Sequence, residues 1–131
     1  MQTKLSLTIE DARRIMAAAE EAAKNMGFNV SIAVVDCTTY PQLLTRMDGA
    51  PLMSAEGALD KARSAAEGGH PTTFFEEPLN EGRYSVLRLP HTPIPGGLPL
   101  LVDDQCVGAI GVAGAPPHLD VEIAQAGVAA L

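Results

Sequence analysis

The residue types in this 131-residue sequence that can do chemistry are few: three histidines, two cysteines, a handful of paired charges and one glycine-proline loop. His70 precedes and His91 lies near the end of the long stretch Pro78 to Pro95, where a neutral imidazole can ligate iron or carry a proton near neutral pH. His118 stands at a helix start, and no HExxH or other short histidine spacing supports a dedicated zinc site. Arg46 and Asp48 are two residues apart, on the same side of an extended chain. They read as a strand-end ion pair or as a guanidinium clamp, Arg46, for a ligand carboxylate. Glu56, Asp60 and Lys61 either face the same cleft or lie on a solvated helix face. In Pro95-Gly96-Gly97-Leu98-Pro99, rigid and permissive backbone alternate, which either aims the N–H groups of Gly96 and Gly97 at a ligand or simply leads the chain into a strand.

Several chemistries have no support. There is no GxxxxGK[ST] loop, no GxGxxG fingerprint and no Gly-x-Ser-x-Gly elbow. Cys37 and Cys106 sit in apolar runs, outside any CxxC, and read as buried free thiols rather than nucleophiles. A net charge of −7 with nine scattered basic residues excludes nucleic acid as a partner. No tract reaches the roughly 20 apolar residues of a membrane span, and the N-terminus shows no secretion signal, so the expectation is a cytoplasmic protein without a membrane partner.

The elements that must position these residues follow from periodicity and punctuation. The length suits one domain, residues 1–131. Thr8 with Asp11 opens a helix whose apolar positions Ile9, Ala12, Ile15, Ala19, Ala22 and Met26 recur at helical spacing until Gly27. Asn29 to Cys37 and Gln42 to Met47 predict a strand hairpin. Ser54 is expected to cap a second helix with the small stripe Ala55, Ala58, Leu59, Ala62, Ala65 and Ala66, which ends at Gly68-Gly69. Thr72 caps a further turn through Glu76, and a short strand is expected around Tyr84 to Leu87. Leu98 to Asp103 and Gln105 to Val112 form a second hairpin about Asp103-Asp104-Gln105. Gly108, Gly111 and Gly114 in it imply close approach by a helix, another backbone or a ligand. Pro116-Pro117 opens a last helix with Leu119, Ile123, Ala126 and Ala130 inward. This order lacks βαβ alternation and predicts an α+β domain with helices on an antiparallel sheet.

Six blocks carry a resemblance: Leu7-Thr8-Ile9-Glu10-Asp11-Ala12, Ser31-Ile32-Ala33-Val34-Val35-Asp36, Arg46-Met47-Asp48-Gly49-Ala50, Lys61-Ala62-Arg63-Ser64-Ala65-Ala66, Pro95-Gly96-Gly97-Leu98-Pro99 and Val107-Gly108-Ala109-Ile110-Gly111-Val112-Ala113-Gly114. In that order they resemble the GlcG/HbpS haem-binding family. The resemblance implies a profilin-like three-layer α/β/α fold with a five-stranded antiparallel sheet, and a homo-oligomer. It also implies haem binding, with haem degradation in some members and an association with small-molecule catabolism. Two segments depart from the family pattern. Cys37-Thr38-Thr39-Tyr40-Pro41 replaces a glycine-rich turn, and Gly68-Gly69-His70-Pro71-Thr72 has histidine where arginine is usual.

Two functions follow. In one, the chain binds haem or another small ligand, His70 or His91 ligating iron while Arg46, Lys61 or the Gly96-Gly97 N–H groups meet the propionates. In the other, it is a cofactor-independent isomerase, lyase or deaminase of a catabolic pathway, acting on a small carboxylate by tautomerisation, hydration or deamination. There Arg46 anchors the substrate and His70 is the acid/base, oriented by Asp36 or Glu56.

Overall fold

The computed structural model describes all 131 residues. Helix α1, Ile9–Met26, starts at a reciprocal capping box. Thr8 Oγ1 accepts the Asp11 N–H at 3.2 Å, and the Asp11 carboxylate accepts the Thr8 N–H at 2.9 Å. That backbone N–H, then the Thr8 hydroxyl and Arg14, lower the Asp11 pKa from 3.8 to about 2. Gly27 ends the helix in the left-handed conformation, φ +78°.

Four antiparallel strands, β1 (Ser31–Asp36), β2 (Pro41–Arg46), β3 (Gly97–Val102) and β4 (Gln105–Ala113), lie in the order β2-β1-β4-β3. Both expected hairpins form. The second turns on Asp103 and Asp104 at φ +49° and +62°, the paired left-handed residues of a type I′ turn. Helices cover both faces of the sheet. On one side Ile15 of α1 and Ile123 of α4 (Pro117–Val128) pack on Ile32, Val34, Ile110 and Val112. On the other, Ala58, Ala62 and Ala65 of α2 (Ser54–Gly68) pack on Ala33, Val35, Ala109 and Ala113. Small side chains let α2 lie close: a Cβ on Gly111 would strike the backbone of Ala58 and Ala62. At Gly111 the close approach is therefore helix packing.

Five expectations are corrected. The sheet has four strands rather than five. The segment expected as a strand around Tyr84 to Leu87 is a short 3-10 helix, Tyr84–Arg88, whose N–H groups bond locally, Val86 to the Arg83 carbonyl and Leu89 to that of Val86. Pro90, Pro93 and Pro95 downstream offer no donors for a ladder. Ser54 does not cap α2, because its Oγ lies 2.8 Å from Ser31 Oγ and donates to the Pro51 carbonyl. The buried stripe of α4 is Asp120, Ile123, Ala124 and Gly127, rotated from the expected one to include an acid. Helix α3, Thr73–Asn80, is longer than the single expected turn and tolerates Pro78 near its end.

Candidate functional site

The glycine-proline loop packs over a buried ion pair. On α2, Lys61 occupies the inward stripe with Ala58, Ala62 and Ala65, and its Nζ lies 3.1 Å from Asp120 Oδ2 on the first turn of α4. The two side chains are 6% and 2% exposed, so the pair ties the two helix layers together around the end of the sheet. Nζ also donates to the Val112 carbonyl at 2.9 Å, and Asp120 Oδ1 accepts the Ala115 N–H at 3.0 Å. Burial pushes the Asp120 carboxyl up from its ordinary range, against the pull of Lys61.

The backbone explains why Lys61 finds an acceptor there. β3 begins at Gly97, opposite Gly111, so the Val112 carbonyl projects past the start of its neighbouring strand. The Val112 N–H reaches the Gly96 carbonyl at 2.9 Å, and then Gly96 turns away at φ +130°. A Cβ on Gly96 would lie 2.5 Å from Val112 O and 2.9 Å from Lys61 Nζ. The Gly97 N–H goes to Thr72 Oγ1 at 3.1 Å, and the same hydroxyl donates to the Ile94 carbonyl at 2.6 Å. The loop shapes the lysine pocket through absent side chains, and the Gly97 N–H is taken within the protein.

A cleft of about 300 Å³ opens beside the pair. Lys61 and Asp120 line it together with Met53, Ile94, Ala113 and Pro117, and no other charged side chain does.

The two candidate iron ligands occupy different surroundings. His70, Phe74, Phe75 and His91 form a row of rings with successive centroids 4.2, 5.5 and 4.3 Å apart. Two phenylalanines separate the imidazoles, so the two histidines do not form a pair. His91 is 14% exposed, and its Nδ1 is buried without a hydrogen-bond partner, 3.8 Å from Glu67 Oε2. The cleft beside it carries Asp60, Arg63 and Glu67. His70 is exposed, at the rim of a groove of about 450 Å³ walled by Pro71, Leu98, Leu101 and Val128. Leu101 and Val128 also line a neighbouring cleft of about 610 Å³ that Arg14 borders.

The remaining candidates are dispersed. The Asp36 carboxylate is occupied within its own turn, accepting from the Thr38 N–H at 2.8 Å, the Thr38 hydroxyl at 2.6 Å and the Tyr40 N–H at 3.3 Å. Glu56 is exposed on the first turn of α2, about 20 Å of helix rise from His70 beyond its other end. Arg46 is exposed at the end of β2, opposite Ser31, and joins neither Asp48 nor any other acid in an ion pair. His70, Glu56 and Arg46 therefore do not converge. Asp120 was absent from the sequence candidates. The available signal was a charge on an apolar stripe, since Asp120, Ile123, Ala124 and Gly127 follow i, i+3, i+4, i+7 spacing, as do Ala58, Lys61, Ala62 and Ala65.

Comparison with known proteins matches residues 7–129 to the family described as haem degrading protein HbpS-like. Protein GlcG of Escherichia coli K12 is 40% identical over 113 residues, covering 86% of this chain and 84% of that protein. Among solved structures, a double mutant of HbpS from Streptomyces reticuli superposes with a TM-score of 0.91 at 35% identity, covering 100% of this chain and 90% of the other. A complex of PduOC with haem gives 0.88 at 27% identity, covering 97% and 96%. The chain belongs to the HbpS-like family.

Proposed function

We propose, from that membership, that this protein binds haem through His70. The observation that carries the reading is the groove itself: an exposed imidazole stands at the rim of walls formed by Leu98, Leu101 and Val128. A porphyrin needs one nitrogen donor above an apolar surface, and this groove supplies both. The cleft beside His91 carries three charged side chains and suits a porphyrin less well. Phe74 stacks on the His70 ring at an interplanar angle of 11°, which orients the imidazole. Arg14, which borders the adjoining cleft and also donates to Asp11 and to the Ala130 carbonyl, is a nearer cation for a propionate than Arg46 on β2 at the other edge of the sheet. Bound haem would supply iron for electron transfer or for oxygen chemistry, while the protein supplies ligand, apolar contact and charge.

Titration with hemin tests this. The expected result is a saturable Soret shift at micromolar hemin that His70→Ala abolishes and His91→Ala retains. A titration without saturation, or one that depends on His91 instead, refutes the assignment. The exposed apolar residues Leu44, Leu52, Tyr84 and Leu87 support assembly into a homo-oligomer, which light scattering measures directly.

A further inference from the structure

We infer that the cleft over Lys61 and Asp120 is a second ligand site, separate from the His70 groove, which takes a small aliphatic carboxylate on the Lys61 ammonium while Asp120 takes up a proton. An ammonium group has three N–H donors. Lys61 spends one on Val112 O and one on Asp120 Oδ2, and the third has no partner in the protein. The side chain is 94% buried yet Lys61 lines an open cleft, from which a ligand would reach the ammonium. An N–H left without an acceptor in such surroundings is costly unless something supplies one.

The cleft specifies what the acceptor is attached to. With about 300 Å³ of space and an open side, the cleft has room for the anionic group and a short carbon chain. Met53, Ile94, Ala113 and Pro117 offer apolar contact and no hydrogen bonds from their side chains, which suits an aliphatic tail. The first turns of α2, at Ser54 and Gly57, and of α4, at Pro117 and Asp120, both border the cleft and add their positive ends to the lysine charge. Two carboxylates on one buried ammonium leave an excess negative charge, which favours protonation of one of them. Lys61 is the one charged group facing Asp120, because the Ala113–Ala115 segment and Ile94 contribute only backbone and apolar side chains. When the ligand anion arrives, the Asp120 carboxylate therefore binds a proton from solvent and remains as a neutral hydrogen-bonding acid. The net charge of the cleft is then the same with and without ligand.

A buried Lys–Asp pair can also be a purely structural tie between α2 and α4. The two roles separate on substitution. Asp120→Asn removes the competing carboxylate and leaves Lys61 buried with an unmatched charge, so a small carboxylate should restore what was lost. Thermal unfolding of the wild type and of Asp120→Asn is followed in sodium acetate, propionate and butyrate, with sodium chloride at equal ionic strength as the control. The variant is expected to be stabilised by the carboxylates well beyond chloride, with affinity rising about fourfold for each added methylene. In the wild type the affinity is weaker and falls about tenfold per unit of rising pH above the Asp120 pKa, whereas the variant is flat. Carboxylates that act no differently from chloride on the variant, or an affinity that ignores chain length, overturn the proposal. If Asp120→Asn does not fold, calorimetry of butyrate binding to the wild type in two buffers of different ionisation heat decides it. Uptake of about one proton per butyrate supports the site. Binding without proton uptake, or no binding, refutes it. Hemin binding at His70 is unaffected by either result.

Discussion

Replacing Gly96 by alanine tests whether the glycine-proline loop exists to make room for the buried lysine. At φ +130° the backbone lies where side-chain-bearing residues are rarely found, and forcing one there costs on the order of 1–3 kcal/mol. The new Cβ would sit 2.5 Å from Val112 O and 2.9 Å from Lys61 Nζ, so the ammonium must leave its carbonyl. Losing a hydrogen bond to a charged group adds about 1.5–3 kcal/mol, for a total of roughly 2.5–6 kcal/mol. Gly27→Ala is the control. It also has positive φ, +78°, but nothing lies within 4 Å of the added Cβ, so only the left-handed penalty of about 1–2 kcal/mol applies. For a domain of 131 residues each kcal/mol lowers the midpoint by about 4 °C. Thermal unfolding followed by circular dichroism should thus place Gly96→Ala about 10–24 °C below the wild type, and Gly27→Ala about 4–8 °C below. Equal losses in the two variants would refute the cradle.

Two further outcomes follow from hydrogen bonds elsewhere in the fold. The Asp11 carboxyl titrates near 2 in the folded chain against 3.8 normally, so its contribution is complete above 3.8 and is lost as pH falls through about 2. Urea midpoints measured between neutral and strongly acid pH should fall less steeply for Asp11→Asn than for the wild type, and parallel curves would contradict the capping-box account. Thr72→Val keeps the shape of a fully buried side chain but leaves the Ile94 carbonyl and the Gly97 N–H without Oγ1, at a cost of about 2–4 kcal/mol by urea denaturation. A loss under 1 kcal/mol would mean that the loop is held by other contacts.

What was legible in the sequence depended on the range of the interactions. The capping box of α1, the Gly27 stop and the Asp103-Asp104 turn are local, decided by residues within a few positions, and each forms where expected. The order of the helices and the antiparallel pairing were legible from periodicity for the same reason. Tyr84 to Leu87 misled because aromatic and branched residues suit a strand only when a neighbouring strand is there to pair with, and local bonds form instead. The site was less legible. Lys61 and Asp120 are 59 residues apart, and neither reveals the other until α2 and α4 meet around the sheet. The Gly96-Gly97 loop was open to two readings for a similar reason, since what fills the space beside Gly96 is a side chain from α2.

The buried pair is a poor device for stability, and that makes its energetics informative. A buried ion pair gains little over apolar residues of similar volume, yet removal of one partner costs about 3–5 kcal/mol because a charge is left uncompensated. The two single losses at this site should differ in their pH dependence. In Lys61→Met the remaining Asp120 carboxyl has lost its one cationic neighbour, and burial alone raises its folded pKa further above the unfolded value. A raised folded pKa gives stability that is present below the unfolded pKa and is lost as pH rises through the folded one. The penalty of Lys61→Met should therefore grow from mildly acid to mildly alkaline pH, while that of Asp120→Asn, which leaves a buried ammonium rather than a buried carboxylate, should not grow. The double variant carries neither charge, so its loss should fall short of the sum of the single losses by at least about 2 kcal/mol. Urea denaturation of the four proteins across this pH range measures all of these quantities. Additive losses without pH dependence would show that Lys61 and Asp120 do not interact as charges, and the ligand site argued from their pairing would fall with them.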